Sequence, residues 1–282
     1  MNIIRYTDTR AFCDKVLPLL LLHEAENNLM IGILLRLVDN SQQWGDQPPL
    51  LCLVEENGVL IAAATQTPPY NVILTRMDQI AATALAQQLI DWEYEIPGVL
   101  GPSESVDHFN MTWCSETGNK IELEHGLGVY QLDQVIPPAA PTGYCAVATE
   151  QDTELLLRWH REFCEDTGLP VREAEKVVRQ TIAERRYQLW HDPHPVSLAV
   201  VCGPTPNGIR ISEVYTPAAY RGKGYASANV AALSQRMLDT GRQFCYLFTD
   251  LANPTSNSIY RKIGYRQVSE FTAYRLVKPG EP

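Results

Sequence analysis

The chain has 282 residues, 45 % of them hydrophobic, and its 23 Lys and Arg against 33 Asp and Glu give a net charge of −10. That length suits roughly two soluble domains, each able to bury a core, and the acidic balance argues against a nucleic-acid binder, which meets phosphate with a basic surface. The charge is uneven: residues 1–140 hold 6 basic and 18 acidic side chains (net −12), whereas residues 141–282 hold 17 and 15 (net +2). An anionic ligand therefore belongs with the second half.

No stretch reaches the ~18 consecutive apolar residues of a membrane helix. The longest run, Val16 to Leu22, is interrupted by Pro18, and the first ten residues have no apolar signal core. Seven cysteines (Cys13, Cys52, Cys114, Cys145, Cys164, Cys202 and Cys245) are scattered without a C-x-x-C pair. They read as reduced, mostly buried side chains of a cytoplasmic protein, in which the Asn110-Met111-Thr112 sequon carries no meaning.

In chain order, the apolar spacing predicts a helical segment over Thr9 to Val38. Strands follow at Leu50 to Glu55 and Val59 to Thr65, joined by the hairpin signal Glu56-Asn57-Gly58, and a third strand covers Val72 to Thr75. Asp78 reads as the N-cap of a helix ending near Glu95 with Ile80, Ala84, Leu85 and Ile90 turned inward. Ser103 to Glu116 is helical, and Lys120 to Asp133 reads as paired strands around Gly126 and Gly128.

Three prolines and a glycine fall within Val135 to Gly143, a composition that holds neither a helix nor a central strand. With the change of charge there, it divides the chain into a first domain over 1–135, a linker over 136–143 and a second domain over 144–282. In the second domain the pattern predicts a strand at Tyr144 to Ala148, a helix capped by Asp152 or Thr153 and ending near Cys164, and a second helix over Val171 to Tyr187. Strands follow at Val196 to Cys202 and Ile209 to Thr216, then a helix over Ala226 to Leu238 and a strand over Phe244 to Thr249. A helix over Pro254 to Ile263 and a strand over Phe271 to Val277 close the chain. Both halves share this order of elements, so the chain reads as two copies of one α/β unit.

The most informative segment is Ile211 to Ala226: a strand, then Arg221-Gly222-Lys223-Gly224-Tyr225-Ala226 opening a helix. A helix start exposes about four unpaired N–H groups and a partial positive charge. Two glycines let a phosphate approach that backbone, and Arg221 and Lys223 add charge, which together make a pyrophosphate cradle. A turn whose glycines solve only a dihedral problem is the plainer alternative. The spacing excludes a G-x-x-x-x-G-K-[ST] loop and a dinucleotide fingerprint.

This string is similar to the R/Q-x-x-G-x-G/A acyl-CoA loop of the GNAT N-acetyltransferase superfamily. Downstream, Asn253 to Tyr265, with Ser256, Ile259, Tyr260 and Gly264, resembles the same family's N-x-x-[small]-x-x-L-Y-x-x-x-G-F. The resemblance covers residues 144–276; the first half resembles it in element order alone. It implies a mixed, twisted α/β sheet flanked by helices, and acetyl-CoA as co-substrate with no metal. The cofactor would be held by the backbones of Val214, Tyr215 and Thr216, by the loop residues Arg221, Gly222, Lys223, Gly224, Tyr225, Ala226 and Ser227, and by Asn253. It also implies a place for Tyr260 beside the CoA sulfur, where a phenol of ordinary pKa near 10 can serve a leaving thiolate.

For the base, Glu213 stands at the end of the strand, where Ile209 and Ile211 share its face and the apolar parity breaks as at a bulge; water with backbone carbonyls is the equal alternative. Glu162, Glu165 and Asp166, after the first helix of this half, are candidates to hold a cationic amine, or a solvated helix end. His160, His191 and His194 lack metal-ligand spacing. In the first half no glycine follows the third strand, and Asp78 caps the helix where a pyrophosphate would need bare N–H groups. The expected activity is acetyl transfer to a primary amine of a small molecule or peptide. A non-catalytic acyl-CoA-binding or regulatory module is the alternative, no nucleic-acid or membrane partner is expected, and a homodimer is left open.

Overall fold

The computed structural model describes residues 1–41, 47–139, 141–171 and 173–280. The chain divides into two units. Unit 1 opens with β1 (Asn2–Arg5), α1 (Thr9–Leu21) and α2 (Asn28–Asp39), then β2 (Leu50–Glu56), β3 (Val59–Gln66) and β4 (Val72–Leu74), and then α3 (Gln79–Asp91), β5 (Gly98–Pro102) and α4 (Ser103–Thr117). The neighbours β1/β2, β2/β3 and β3/β4 are antiparallel and β4/β5 is parallel. A long strand, β6 (Lys120–Leu132), then leads out of unit 1 at Val129.

Unit 2 repeats the order: β7 (Tyr144–Val147), α5 (Thr153–Thr167), α6 (Ala174–Ala183), β8 (Tyr187–His191), β9 (Pro195–Cys202), β10 (Gly208–Tyr215), α7 (Tyr225–Asp239), β11 (Phe244–Asp250) and α8 (Pro254–Lys262). Again the first three neighbour pairs are antiparallel and the last, β10/β11, is parallel. The chain is thus two copies of one mixed α/β unit.

Each central strand is buried on both faces because helices cover both sides, which is why such strands read as unbroken apolar runs. In β2, Leu51 and Leu53 pack with Phe12, Leu20 and Leu34 of α1 and α2. The alternate residues Leu50, Cys52 and Val54 pack with Leu85, Leu89 and Phe109 of α3 and α4. Unit 2 follows the same rule: Leu198 and Val200 of β9 face α5 and α6, and Ala199 and Val201 face α7 and α8.

The units are not two contiguous pieces, and this corrects the division at 135 and 144. The last strand, β12 (Arg266–Val277), pairs antiparallel with β5 from Phe271↔Pro102 to Arg275↔Gly98. From Gln267 onward the chain is therefore part of unit 1, whereas Tyr130 to Asp133 and the proline-rich segment after them belong to unit 2. There Ile136 N–H donates to the Ile263 carbonyl at 2.9 Å, and Trp190 Nε1 donates to the Thr142 carbonyl at 3.1 Å. Ala140 of the expected linker and Arg172 of the expected second helix lie outside the described residues.

Other expectations are corrected locally. The segment Thr9 to Val38 is two helices: Leu22 and His23 N–H bond back only three residues, and Asn27 Nδ2 takes the Leu20 carbonyl at 3.1 Å, ending α1. Ile80 is exposed; α3 buries Ala81, Ala82, Leu85, Ala86 and Leu89, a face one residue further on. Lys120 to Leu132 is one strand, neither Gly126 nor Gly128 taking the positive φ of a hairpin turn. The helix expected to reach Tyr187 stops at Ala183, because Arg185 adopts φ +57° and Tyr187 starts β8. Strands β1, β5 and β8 were not expected from the sequence.

Candidate active site

Among the described residues, β10 and β11 register from Gly208↔Phe244 to Arg210↔Tyr246. Beyond Arg210 the edge of β10 that faces away from β9 is open to an extended ligand lying alongside it as a further strand. On the β9 side the register shifts between Ser212 and Tyr215, and Glu213 stands in the bulge with φ +46°. A bulge moves the residues after it onto the other face. Ile209 and Ile211 accordingly pack toward α7 and α8, while Tyr215 packs toward α5.

Glu213 turns to α5 as well. Its Oε1 lies 2.8 Å from His160 Nδ1, and both side chains are only 13 % exposed. A carboxylate offers no proton, so the imidazole N–H donates; this bond raises the His160 pKa against the opposing effect of burial. The other imidazole nitrogen, Nε2, is 3.9 Å from the Cys164 sulfur. Tyr187 of β8 is fully buried with no hydrogen-bond partner for its hydroxyl among the described residues, and burial first, then the Glu213 charge, pushes its pKa up.

After β10 the chain makes a short 3-10 turn, Ala218–Tyr220, and enters α7 through Gly222 (φ +78°) and Gly224 (φ +84°). No atom lies within 4 Å of where a Cβ would stand on either glycine, so the space above both is open. Gly224 is the N-cap of α7 and no side chain caps that helix. Its first turn, Tyr225, Ala226 and Ser227, therefore presents N–H groups to that open space. These features fit a pyrophosphate: bare donors, glycine clearance and a positive helix end.

The charged loop residues are partly engaged. Arg221 Nε donates to the Thr216 carbonyl at 2.8 Å, and its NH2 group reaches Asp166 at 2.6 Å. Lys223 lies over the Tyr220 ring, 5.8 Å from its centroid. Tyr225 donates to Asp192 at 2.5 Å; this bond and one from Thr142 hold the Asp192 carboxyl below the usual range, the Thr142 bond contributing most. The Tyr215 carbonyl accepts from Ser197 Oγ at 3.2 Å. The Tyr215 and Thr216 carbonyls thus each accept from a side chain.

Tyr260 sits in the second turn of α8, 8 % exposed, its ring edge-on to Tyr265 at 5.9 Å. Burial pushes its phenol up to about 12, and its hydroxyl has no hydrogen-bond partner among the described residues. Asn253 caps α8, accepting from Ser256 N–H at 3.0 Å, with Pro254 at the first helical position.

The carboxylates expected to receive an amine have other partners. Glu162 accepts from the Tyr215 hydroxyl at 2.8 Å, and Asp166 holds Arg221. With His160 on Glu213, three side chains of α5 pin it to β10 and the loop. Glu165 is exposed. His191 stacks on Tyr144, with ring centroids 5.2 Å apart, and no cluster of three potential metal ligands exists among the described residues. Sequence reasoning missed the roles of His160 and Tyr187, because the bulge that brings Glu213 to them has no signal beyond the broken parity.

The corresponding places in unit 1 differ. Asp78 Oδ1 accepts from Ala81 N–H at 2.8 Å, so the start of α3 is capped by a carboxylate.

Residues 194–276, spanning β9 to β12, match the family described as FR47-like protein. Among solved structures the whole chain resembles a GNAT-family acetyltransferase from Colwellia psychrerythraea at 12 % identity, covering 99 % of this chain and 100 % of that one, with a TM-score of 0.58. The chain has the GNAT fold. A GCN5-related N-acetyltransferase from Sphaerobacter thermophilus superposes with a TM-score of 0.61 at 17 % identity over 86 % of each chain. A Drosophila protein gives 0.64 at 13 % identity over 98 % of each chain. No functionally curated protein matches the sequence. Within the GNAT fold, the open strand edge at β10, the glycine loop and α7 form one continuous stretch of unit 2.

Proposed function

We propose that unit 2 is an acetyl-CoA-dependent N-acetyltransferase acting on a primary amine of a small molecule or peptide. The observation that carries this reading is the uncapped, glycine-lined N-terminus of α7, with open space above Gly222 and Gly224. Acetyl-CoA would supply an activated acetyl thioester. The chain's own residues then have three tasks. The N–H groups of Tyr225, Ala226 and Ser227 bind the pyrophosphate, with Lys223 adding charge. Val214 and its neighbours on the free edge of β10 align the acyl end as an added strand would. Glu213, with Oε1 held by His160, offers Oε2 to the proton that the attacking amine must lose.

Tyr260 remains protonated at every physiological pH and so is available as a donor to the departing sulfur. Complete proton transfer from a phenol near 12 to a thiolate whose conjugate acid lies near 8.5 would be uphill by roughly 5 kcal/mol. Its role is therefore a hydrogen bond to the developing negative charge, a refinement of the proton-donor role expected from an ordinary phenol.

Calorimetric titration with acetyl-CoA, followed by an amine screen for thiol release, tests the reading. Micromolar binding to the wild type, lost in Gly224→Glu and in Ser227→Glu, supports the site; Ser227→Glu keeps helical backbone geometry and places a negative charge in the first turn. No binding by the wild type overturns it. Binding without turnover on any amine would instead make unit 2 an acyl-CoA-binding module.

A further inference from the structure

We propose that His160 is a positioning residue for acyl transfer: its Nδ1–H holds Glu213 Oε1 at the open end of β10, so that Glu213 Oε2 accepts the amine proton. This rests on the acetyltransferase reading above and adds to it a residue that no sequence motif marks.

Three observations carry it. First, the contact is built: Glu213 stands in a bulge at positive φ, a conformation costly for a non-glycine residue, and His160 meets it at 2.8 Å with both side chains 13 % exposed. Second, the geometry divides the roles. His160 Nδ1 faces Glu213 and Nε2 faces the Cys164 sulfur on its own helix, so both nitrogens are turned to protein. Glu213 Oε2 has no partner among the described residues. Third, the surroundings leave the pair isolated. On α5 the neighbours are Arg161, which opposes protonation of His160, and Cys164, whose thiol burial and the Glu213 charge push up. On β8 Tyr187 is kept neutral by burial, and α6 turns Val178, Thr181 and Ile182 inward. Only Glu213 favours a proton on His160.

The proton count follows. Nδ1–H stays on Glu213 Oε1 throughout, and the proton that charges His160 sits on Nε2. A charged imidazolium holds the carboxylate as an anion, whereas with His160 neutral Oε2 is freer to take the proton released as the N–C bond forms. Activity should therefore rise with pH through the His160 pKa, which the Glu213 bond places above the ordinary histidine value near 6.5.

The test combines two readouts. Without any substrate, the NMR titration of the His160 ring is expected above the ordinary value in the wild type and lower in E213Q; no difference overturns the pair. With acceptor amine, H160N keeps a donor near the Nδ1 position but cannot titrate, and H160A removes both. We expect H160A to lower kcat about 10- to 100-fold, with acetyl-CoA affinity unchanged as the check on folding. In H160N kcat should largely recover at high pH, while the acid limb that follows the His160 titration disappears from kcat/KM. The acceptor's own ionisation cancels when the profiles are compared. Wild-type profile and kcat in both variants overturn the proposal. Absence of wild-type turnover on any amine overturns the transferase reading and the catalytic use of the pair, while the ring titration reports on the pair independently.

Discussion

Phe109 is the seventh residue of α4, as Tyr260 is the seventh residue of α8. Both rings are buried in the core that lies under the second pair of helices of their unit, but only Tyr260 carries a hydroxyl. Together with Asp78 capping α3, this leaves unit 1 with the scaffold and without either polar device of unit 2. Acetyl-CoA should therefore bind at one site per chain, and Asp78→Ser should leave that stoichiometry unchanged. Calorimetry giving two sites would refute the division of labour.

Tyr260→Phe separates stability from function. The ring is buried, and its hydroxyl has no partner among the described residues, so the substitution keeps the packing and breaks no protein hydrogen bond. The variant should melt at the same temperature as the wild type or slightly higher, yet lose at least about tenfold in kcat, with acetyl-CoA affinity within twofold. A loss confined to KM for acetyl-CoA would reassign Tyr260 to binding.

The His160–Glu213 contact also has a signature in stability. A histidine whose folded pKa is raised contributes stability that is fully present below its unfolded value near 6.5 and is lost as pH rises through the folded value. Wild-type protein should thus lose stability relative to H160N across the slightly acid to slightly alkaline range. Urea denaturation at a series of pH values measures it; parallel curves would show that the bond is not maintained in solution.

Gly264 ends α8 with φ +108°, and an added Cβ would stand 2.6 Å from the Gln134 carbonyl oxygen and 3.3 Å from the Ile136 nitrogen. Neither backbone atom can yield cheaply, since Ile136 N–H is bonded to the Ile263 carbonyl. Gly264→Ala should cost about 2–4 kcal/mol, whereas Gly168→Ala, which meets no atom within 4 Å at φ +70°, should cost about 1 kcal/mol. Equal denaturation midpoints for the two variants would contradict this.

Arg221 and Asp166 form a half-exposed ion pair, and such pairs contribute at most about 1 kcal/mol. Asp166→Asn should leave thermal stability nearly unchanged. It should tighten acetyl-CoA binding, because the guanidinium is freed toward the phosphate, and titrations at two salt concentrations would show the gain shrinking as screening rises.

Much of this is legible in the sequence alone. The Asp78 and Asn253 caps, the glycine loop and the parity break at Glu213 are local signals, and local signals follow from backbone chemistry. What escaped depends on distant partners. β5 has five residues with two glycines and a proline, and becomes a strand because β4 and β12 flank it. His160 reads as one histidine on a polar helix face until the bulge delivers Glu213 to it. Glu162 and Asp166 looked available for a ligand because sequence shows charge and not the hydroxyl or guanidinium that already occupies it.

Phe271 pairs with Pro102, 169 residues earlier in the chain. During synthesis β5 emerges without this neighbour and waits, one edge unpaired, while nearly the whole of unit 2 is made. The unit translated first is the last to be completed, and a ribosome that stops short of Phe271 releases a chain with an exposed, adhesive strand edge in unit 1.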